Sequence, residues 1–404
     1  MTIRLLLTGL LLSTAGPATA QAVLKIARVP TSTPPADTLF VAGSFNGWNP
    51  HNPRFALHRN GDGSYQISLP LSPETAEYKF TRGSWQTVEI DAKNQPIANR
   101  RAELSTAHEI MHQVLAWDDQ SGPAAAPRKH TATPQVHVLA EAFAMPQLGR
   151  TRRVLVYLPA GYARNPGHRY SVLYLHDGQN VFDAATSYGG EWGIDETLDQ
   201  LREAGQDATG SIVVAVDNGN EFRSDEYIPW RSEGLKGQPH QGGQGSAYVD
   251  FLAQTMKPYV DTHYRTRPEA AHTGIAGSSL GGLISVFAAL KYPHVFGEVG
   301  AFSPAFWVCN DSLRAYARVH PAARTARFYF VCGPKESATM LPLMTQWRDE
   351  LRAEGVPAAN LSFQAPADGE HKEWFWRREF PAAYRFLFRP VAGRSAAKRR
   401  SDRE

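Results

Sequence analysis

Cysteine is nearly missing from this chain. Cys309 and Cys332 are the only two in 404 residues. That is too few to staple a small disulfide fold, and no Cys/His group has zinc-ligand spacing, so no metal is expected. The two could pair in an oxidising compartment or sit as buried free thiols, and the sequence leaves both readings open. Long apolar runs are missing too. Nothing beyond the first two dozen residues approaches the roughly 20 apolar residues of a membrane-spanning helix. Charge of one sign is scarce. The formal net charge is +3, and the last eleven residues, "RSAAKRRSDRE", account for all of it. A chain that is neutral elsewhere offers no broad basic face to nucleic acid. Its end, 391–404, reads as a solvated, disordered basic tail. No internal repeat is present.

The first 20 residues carry a different signal. Arg4 opens the chain, Leu5 to Leu12 form a short apolar run, and Ala18-Thr19-Ala20 fits a cleavage site before Gln21. This is the pattern of a secretory signal peptide, too short to be a membrane span. It implies a periplasmic or extracellular protein. No cysteine follows the cut, which argues against a lipid anchor. Oligomeric state is not legible.

Composition divides the remainder. Residues 24–117 show short alternating runs such as "DTLFVAGSF", "GSYQISLPL" and "AEYKFTRG", with the hairpin signal "NGDG" at 60–63 and no convincing helix. The pattern predicts a small antiparallel, immunoglobulin-like β-sandwich. Residues 118–133, rich in Pro, Ala and polar residues, read as a linker. From 134 to 390 strand patterns ("RRVLVYLP", "YSVLYLHDG", "SIVVAVDNG", "HTGIAG", "EVGAFSP", "RFYFVCG") alternate with amphipathic helical ones. That alternation predicts an α/β domain around a mainly parallel sheet.

Within it lies "GIAGSSLGGL", residues 274–283. Gly277 and Gly281 frame Ser279 as G-x-S-x-G at a strand-to-helix turn. A serine there projects from the sheet edge beside the positive end of the following helix, and small neighbours let the chain turn sharply. A serine nucleophile needs a base and an acid. Glu336 follows a strand in "FVCGPKES", and His371 lies in "PADGEHKEWFWRREF" before a last aromatic helix. The order Ser279, Glu336, His371 is that of α/β-hydrolases, whose strand ends meet on one sheet edge. His371 would take the Ser279 proton and Glu336 would hold the ring, with Asp368 and Asp177 as rival acids. The N–H groups of Leu280 and of Gln179, in "YLHDGQNVF", are candidate oxyanion donors. Trp192, Arg223, Tyr227 and Trp307 lie in loops after strands and could line the substrate pocket.

"YLHDGQNVF", "EWGIDETL", "GIAGSSLGGLISVFAALKYPHVFGEVGAFSPAFW", "CGPKES" and "GEHKEWFW" together resemble the esterase D-type, or putative esterase, family. That family includes feruloyl and acetylxylan esterases, siderophore trilactone esterases, S-formylglutathione hydrolases and mycolyltransferases. The resemblance covers about residues 140–390. It implies a metal-free α/β-hydrolase with no cofactor, Ser279 and His371 as catalytic pair, Glu336 as acid, and Gln179 and Leu280 at the oxyanion hole. Many members carry Asp at the acid position, where this chain has Glu. "FVAGSFNGWNP" with "EYKFTRGSW" resembles the starch- and glycogen-binding module that precedes isoamylases and branching enzymes. Trp48, Lys79 and Trp85 match its sugar-stacking positions, with Asn94 or Asn99 assisting. The two tryptophans could instead serve packing between domains.

The expectation is therefore a secreted serine esterase removing acetyl or feruloyl groups from a polysaccharide. Alternatives are an esterase of siderophores or other small esters, and a carbohydrate-binding protein with an inactive hydrolase domain. The partner is an ester substrate, with an acylated glycan as candidate.

Overall fold

The structure, a computed structural model, describes residues 21–389 apart from 47, 73, 74, 95, 96, 98, 121–128, 188, 208 and 236–239. The expected leader, half of the expected linker (121–128) and the expected basic tail lie outside the described residues. These divide into two compact units, the smaller made of residues 21–48 and 53–120.

The smaller unit is built from two main sheets. One runs in the order His58–Arg59, Tyr65–Pro70, Gln21–Arg28, Glu109–Gln113; the other is Phe40–Gly43, Thr75–Thr81, Arg100–Glu103. In Gln21–Arg28 the alternation buries Ala22, Leu24 and Ile26, which join Val41, Tyr78, Phe80 and Trp117 in one core. The turn signal at 60–63 does make a hairpin, with Gly63 at φ 83° and Asn60 N–H bonded to the Ser64 carbonyl at 2.8 Å. One pairing corrects the sequence reading: Gln21–Arg28 and Glu109–Gln113 run parallel, so the unit is not wholly antiparallel. Alternation encodes which face is buried, not a neighbour's direction, and the eighty residues between these strands supply the crossover that parallel pairing requires.

The larger unit holds an eight-stranded sheet: β1 (Val136–Met145), β2 (Arg150–Tyr157), β3 (Ser171–Leu175), β4 (Ser211–Val216), β5 (Thr273–Ser278), β6 (Glu298–Phe302), β7 (Arg327–Val331) and β8 (Leu361–Gln364). Their spatial order is β1-β2-β4-β3-β5-β6-β7-β8. The pairs β1–β2 and β2–β4 are antiparallel, and every later pair is parallel. β3 through β7 are buried along their whole length, as strands covered on both faces must be. Odd and even residues sort into two cores: Val172 and Tyr174 on one face, Leu173 and Leu175 on the other.

Helix α1 (Ile194–Glu203) buries Ile194, Leu198 and Leu201, spaced i, i+4, i+7, against the second face. Helix α2 (Leu280–Lys291), buried almost all round, packs on the first. The connection after β3 thus goes to one face and that after β5 to the other. The chain diverges between these adjacent strands, which opens the crevice where α/β folds place their sites. α3 (Met340–Ala353) and α4 (Glu373–Leu387) complete the cover, one on each face. The helical stretch from Gly245 to His263 contains a wide turn at Leu252–Met256, ahead of Pro258, which cannot continue the hydrogen-bond ladder. Among the described residues no helix is long and apolar enough to cross a membrane.

Candidate active site

Ser279 is the single residue between β5 and α2, and its backbone sits at φ 56°, ψ −119°. Such a conformation costs on the order of 1–3 kcal/mol and persists because its surroundings fix it. Ser279 N–H donates to the Phe302 carbonyl (2.9 Å), and its own carbonyl accepts from Leu283 N–H (3.1 Å) and Ala305 N–H (3.0 Å). The glycines answer to a specific neighbour. A Cβ on Gly277 would lie 2.9 Å from His176 Cδ2 and 3.0 Å from the Gly281 backbone; one on Gly281 would lie 3.3 Å from His176 Cβ. His176 fills the space beneath the turn. Its Nδ1 is 2.9 Å from the Tyr248 hydroxyl and its Nε2 3.1 Å from Ser285 Oγ. Ser285 donates to the Gly281 carbonyl, so the ring carries its proton on Nε2. Burial pushes this imidazole down to about 3, with Asp177 opposing and Arg223 adding to the shift.

Glu336 and His371 meet. His371 Nδ1 stands 2.8 Å from Glu336 Oε2, and the carboxylate side chain is fully buried. Two glycines let their loops touch: a Cβ on Gly333 would fall 2.0 Å from the Gly369 carbonyl oxygen. The rival acids are engaged elsewhere. Asp368 pairs with Arg378, and Asp177 is gripped by Arg223 at 2.6 and 2.8 Å.

That second pair shapes the turn after β3. Burial works against the Asp177 charge, yet Arg223 and Asn218 hold its carboxyl below the usual range. Asp177 itself is left-handed at φ 55°. Gly178 passes so near Asp217 that a Cβ would lie 2.8 Å from its amide. Gln179 follows, buried, with its side-chain oxygen accepting from Asn218 N–H (3.2 Å). The backbone N–H groups of Gln179 and Leu280 enter none of the backbone hydrogen bonds among the described residues.

The suggested pocket residues separate by exposure. Trp307 is 43% exposed, just after the Pro304–Ala305 turn that bonds Ser279. Arg223 is a quarter exposed. Trp192 and Tyr227 are buried and support the site from behind. Trp192 packs on Phe302 and Trp376, and the Tyr227 hydroxyl accepts Asp177 N–H at 3.1 Å. In the smaller unit Trp48 and Trp85 lie with ring centroids 6.3 Å apart and planes 36° off parallel. Lys79 is 7% exposed. Cys309 and Cys332 are unpaired and buried, so the thiol alternative describes them.

Sequence reasoning missed Ser303 and Trp376, which bond in series to Glu336, and Gly333 and Gly369, which admit the loop contact. "FSP" and "GEHKEWFW" contained them, but no spacing rule marks their role. One acidic group could draw attention as a metal centre: Glu191, Asp195 and Glu196 each place an oxygen within 4.8 Å of the others. Thr131 Oγ1 and Thr133 N–H already donate to Glu191 and Asp195, and Arg377 pairs with Glu191. These acids anchor the chain at 131–133.

A strained serine between strand and helix, a carboxylate-bound imidazole and two N–H groups at neighbouring strand ends suit nucleophilic acyl transfer. Comparison with known proteins agrees. A 94-residue stretch is 42% identical to an alpha-amylase from Niallia circulans, covering 23% of this chain and 7% of the amylase, which fits the carbohydrate-module resemblance of the smaller unit. An endo-1,4-beta-xylanase/feruloyl esterase from Xylanibacter ruminicola is 23% identical over 78% of this chain and 36% of its own length. The enterobactin esterase of Shigella flexneri superimposes with a TM-score of 0.51 at 15% identity, over 87% of this chain and 88% of that one, which shows a shared fold. Residues 145–387 match the model of the putative esterase family, and the chain belongs to that family and is a carboxylic ester hydrolase.

Proposed function

We infer that the protein is an exported serine esterase that removes acyl groups, acetyl or feruloyl, from a polysaccharide. The carrying observation is the 2.8 Å contact between His371 Nδ1 and Glu336 Oε2, placed at the same sheet edge as the strained Ser279 turn. In this reading the ester carbonyl lies against Gln179 N–H and Leu280 N–H. Ser279 Oγ attacks the carbonyl carbon while His371 Nε2 takes the hydroxyl proton. Glu336 accepts from Nδ1–H and stabilises the imidazolium. The oxyanion collapses, the alcohol leaves with the proton from His371, and an acyl group stays on Ser279. Water then repeats the sequence and releases the acid.

A polysaccharide alcohol is favoured by the amylase-like stretch and by the alignment with the xylanase/feruloyl esterase over most of this chain. Trp48 and Trp85 would offer flat faces to sugar rings in the smaller unit. The test is release of ferulate or acetate from xylan, set against hydrolysis of a catecholate trilactone. A fluorophosphonate should label Ser279, and Ser279→Ala and His371→Ala should abolish labelling. Xylan left untouched while the trilactone is cleaved would replace the substrate class. Labelling at another residue would remove the catalytic assignment.

A further inference from the structure

Glu336 is held by more than His371. Its Oε1 accepts Ser303 Oγ–H at 2.8 Å and Gly333 N–H at 2.5 Å. Ser303 is fully buried, and its Oγ is also 2.9 Å from Trp376 Nε1. An indole nitrogen can only donate. The Ser303 oxygen therefore accepts from Trp376, and its one proton is directed at Glu336. Hydrogen bonds linked in this way polarise one another. With Oε1 occupied by two donors, Oε2 faces His371 Nδ1. Trp376 also sets its ring edge-on to the His371 imidazole, centroids 5.2 Å apart at 85°.

The backbone adds a second observation. Ser303 stands at φ 44°, a region that favours glycine, with its N–H on the Val331 carbonyl at 2.6 Å. A glycine would relieve that strain, so the presence of serine points to a use for its hydroxyl.

We propose that Ser303, oriented by the Trp376 indole, is a positioning residue that aims the Glu336 carboxylate at His371 Nδ1 and so keeps the proton on Nδ1 and Nε2 unprotonated, as a base must be. The proposal rests on the Ser279–His371–Glu336 reading.

The experiment compares Ser303→Gly, Ser303→Ala, Trp376→Phe and Ser279→Ala in the full chain, with p-nitrophenyl acetate and methyl ferulate as substrates. Kinetics, thermal midpoint and the downfield proton resonance of His371 Nδ1–H are read together. One hydrogen bond to a charged group is lost, so Ser303→Gly should lower kcat roughly ten- to a hundredfold. KM should stay within about twofold, because the ester does not touch Ser303. The Nδ1–H resonance should shift or broaden. The midpoint should hold or rise, because glycine relieves the φ strain, whereas Ser303→Ala should show the same kcat loss with a lower midpoint. Trp376→Phe should lose kcat severalfold. Wild-type kcat and an unmoved resonance in Ser303→Gly would overturn the proposal. Turnover surviving in Ser279→Ala would instead remove the underlying triad, so the two failures are distinguishable.

Discussion

Replacing Glu336 by glutamine tests the site without changing its shape. The result follows from which donors surround each oxygen. Gly333 N–H and Ser303 O–H both point at Oε1. The new side chain must keep its amide oxygen there, because the flipped form sets an NH2 group against two donors in a fully buried position. Each buried polar group left without a partner costs about 1–3 kcal/mol. The amide nitrogen therefore replaces Oε2, 2.8 Å from His371 Nδ1. An amide NH2 can only donate, so Nδ1 must accept and the ring proton moves to Nε2. Nε2, the base in the proposed mechanism, can then no longer take the Ser279 proton. Loss of the working tautomer costs on the order of 10⁴ in kcat, or about 5.5 kcal/mol at 1.36 kcal/mol per tenfold. The variant is nearly isosteric, so its thermal midpoint and KM should change little. Stopped-flow and steady-state hydrolysis of p-nitrophenyl acetate, with a melting curve on the same sample, measure all three. Glu336→Asp keeps the charge on a shorter arm and should fall between the two. A folded Glu336→Gln enzyme within tenfold of wild-type kcat would refute the reasoning.

Three further outcomes follow from the same structure. His176 stays neutral when folded down to about pH 3, whereas an unfolded histidine takes a proton below about 6.5. A folded pKa below the unfolded one gives stability that is lost as pH falls, here by about 1.36 kcal/mol per unit and about 2 kcal/mol by pH 5. Denaturant melts of wild type and His176→Gln across pH 7 to 4 should differ in slope by roughly one proton, and identical slopes would count against it. Gly277→Ala must push on the backbone of Gly281 and should cost about 1–3 kcal/mol, with Gly281→Ala milder because only His176 Cβ at 3.3 Å must give; equal melting losses would contradict this. Burial pushes the thiols of Cys309 and Cys332 up to about 12. An aromatic disulfide reagent should therefore find no fast thiol at pH 8 and two per chain in guanidinium; none in guanidinium would mean a disulfide.

Much of the fold could be read from the chain because its signals are local. β3 ("SVLYL") and β4 ("SIVVAV") appear as short, mostly apolar runs with Asp close behind, β5 ("TGIAGS") shows through the glycines of its turn, and α1 shows its i, i+4, i+7 stripe directly. The elements that escaped lie where burial is partial. β1, "VHVLAEAFAM", is an edge strand with exposed positions and two register shifts against β2, so it never alternates cleanly. β8 has four residues and no fully buried side chain. The helix Asn310–Val319 buries only Leu313 and Ala317, too thin a stripe to stand out.

The site divides along the same line. The strained turn at Ser279 was visible because the physical demand on it is local: a sharp turn needs small neighbours within two residues, and sequence records that as Gly277 and Gly281. The 2.8 Å contact of His371 with Glu336 spans 35 positions, and chain order alone marked both residues. The support beneath them is non-local in every case. Trp376 reaches Ser303 across 73 positions, Arg223 reaches Asp177 across 46, and Gly333 opposes Gly369 because two loops pass at backbone contact. Each of these residues has an ordinary structural use elsewhere, so its type carries no signal until the partner is known. Trp192 and Tyr227 show the converse. Their places in loops after strands suggested pocket walls, yet the rings turn inward and brace the β3 turn and the α4 contact. A loop position fixes which edge of the sheet a residue occupies. Whether its side chain faces the substrate or the core depends on the neighbours that compete for it, and those come from distant parts of the chain.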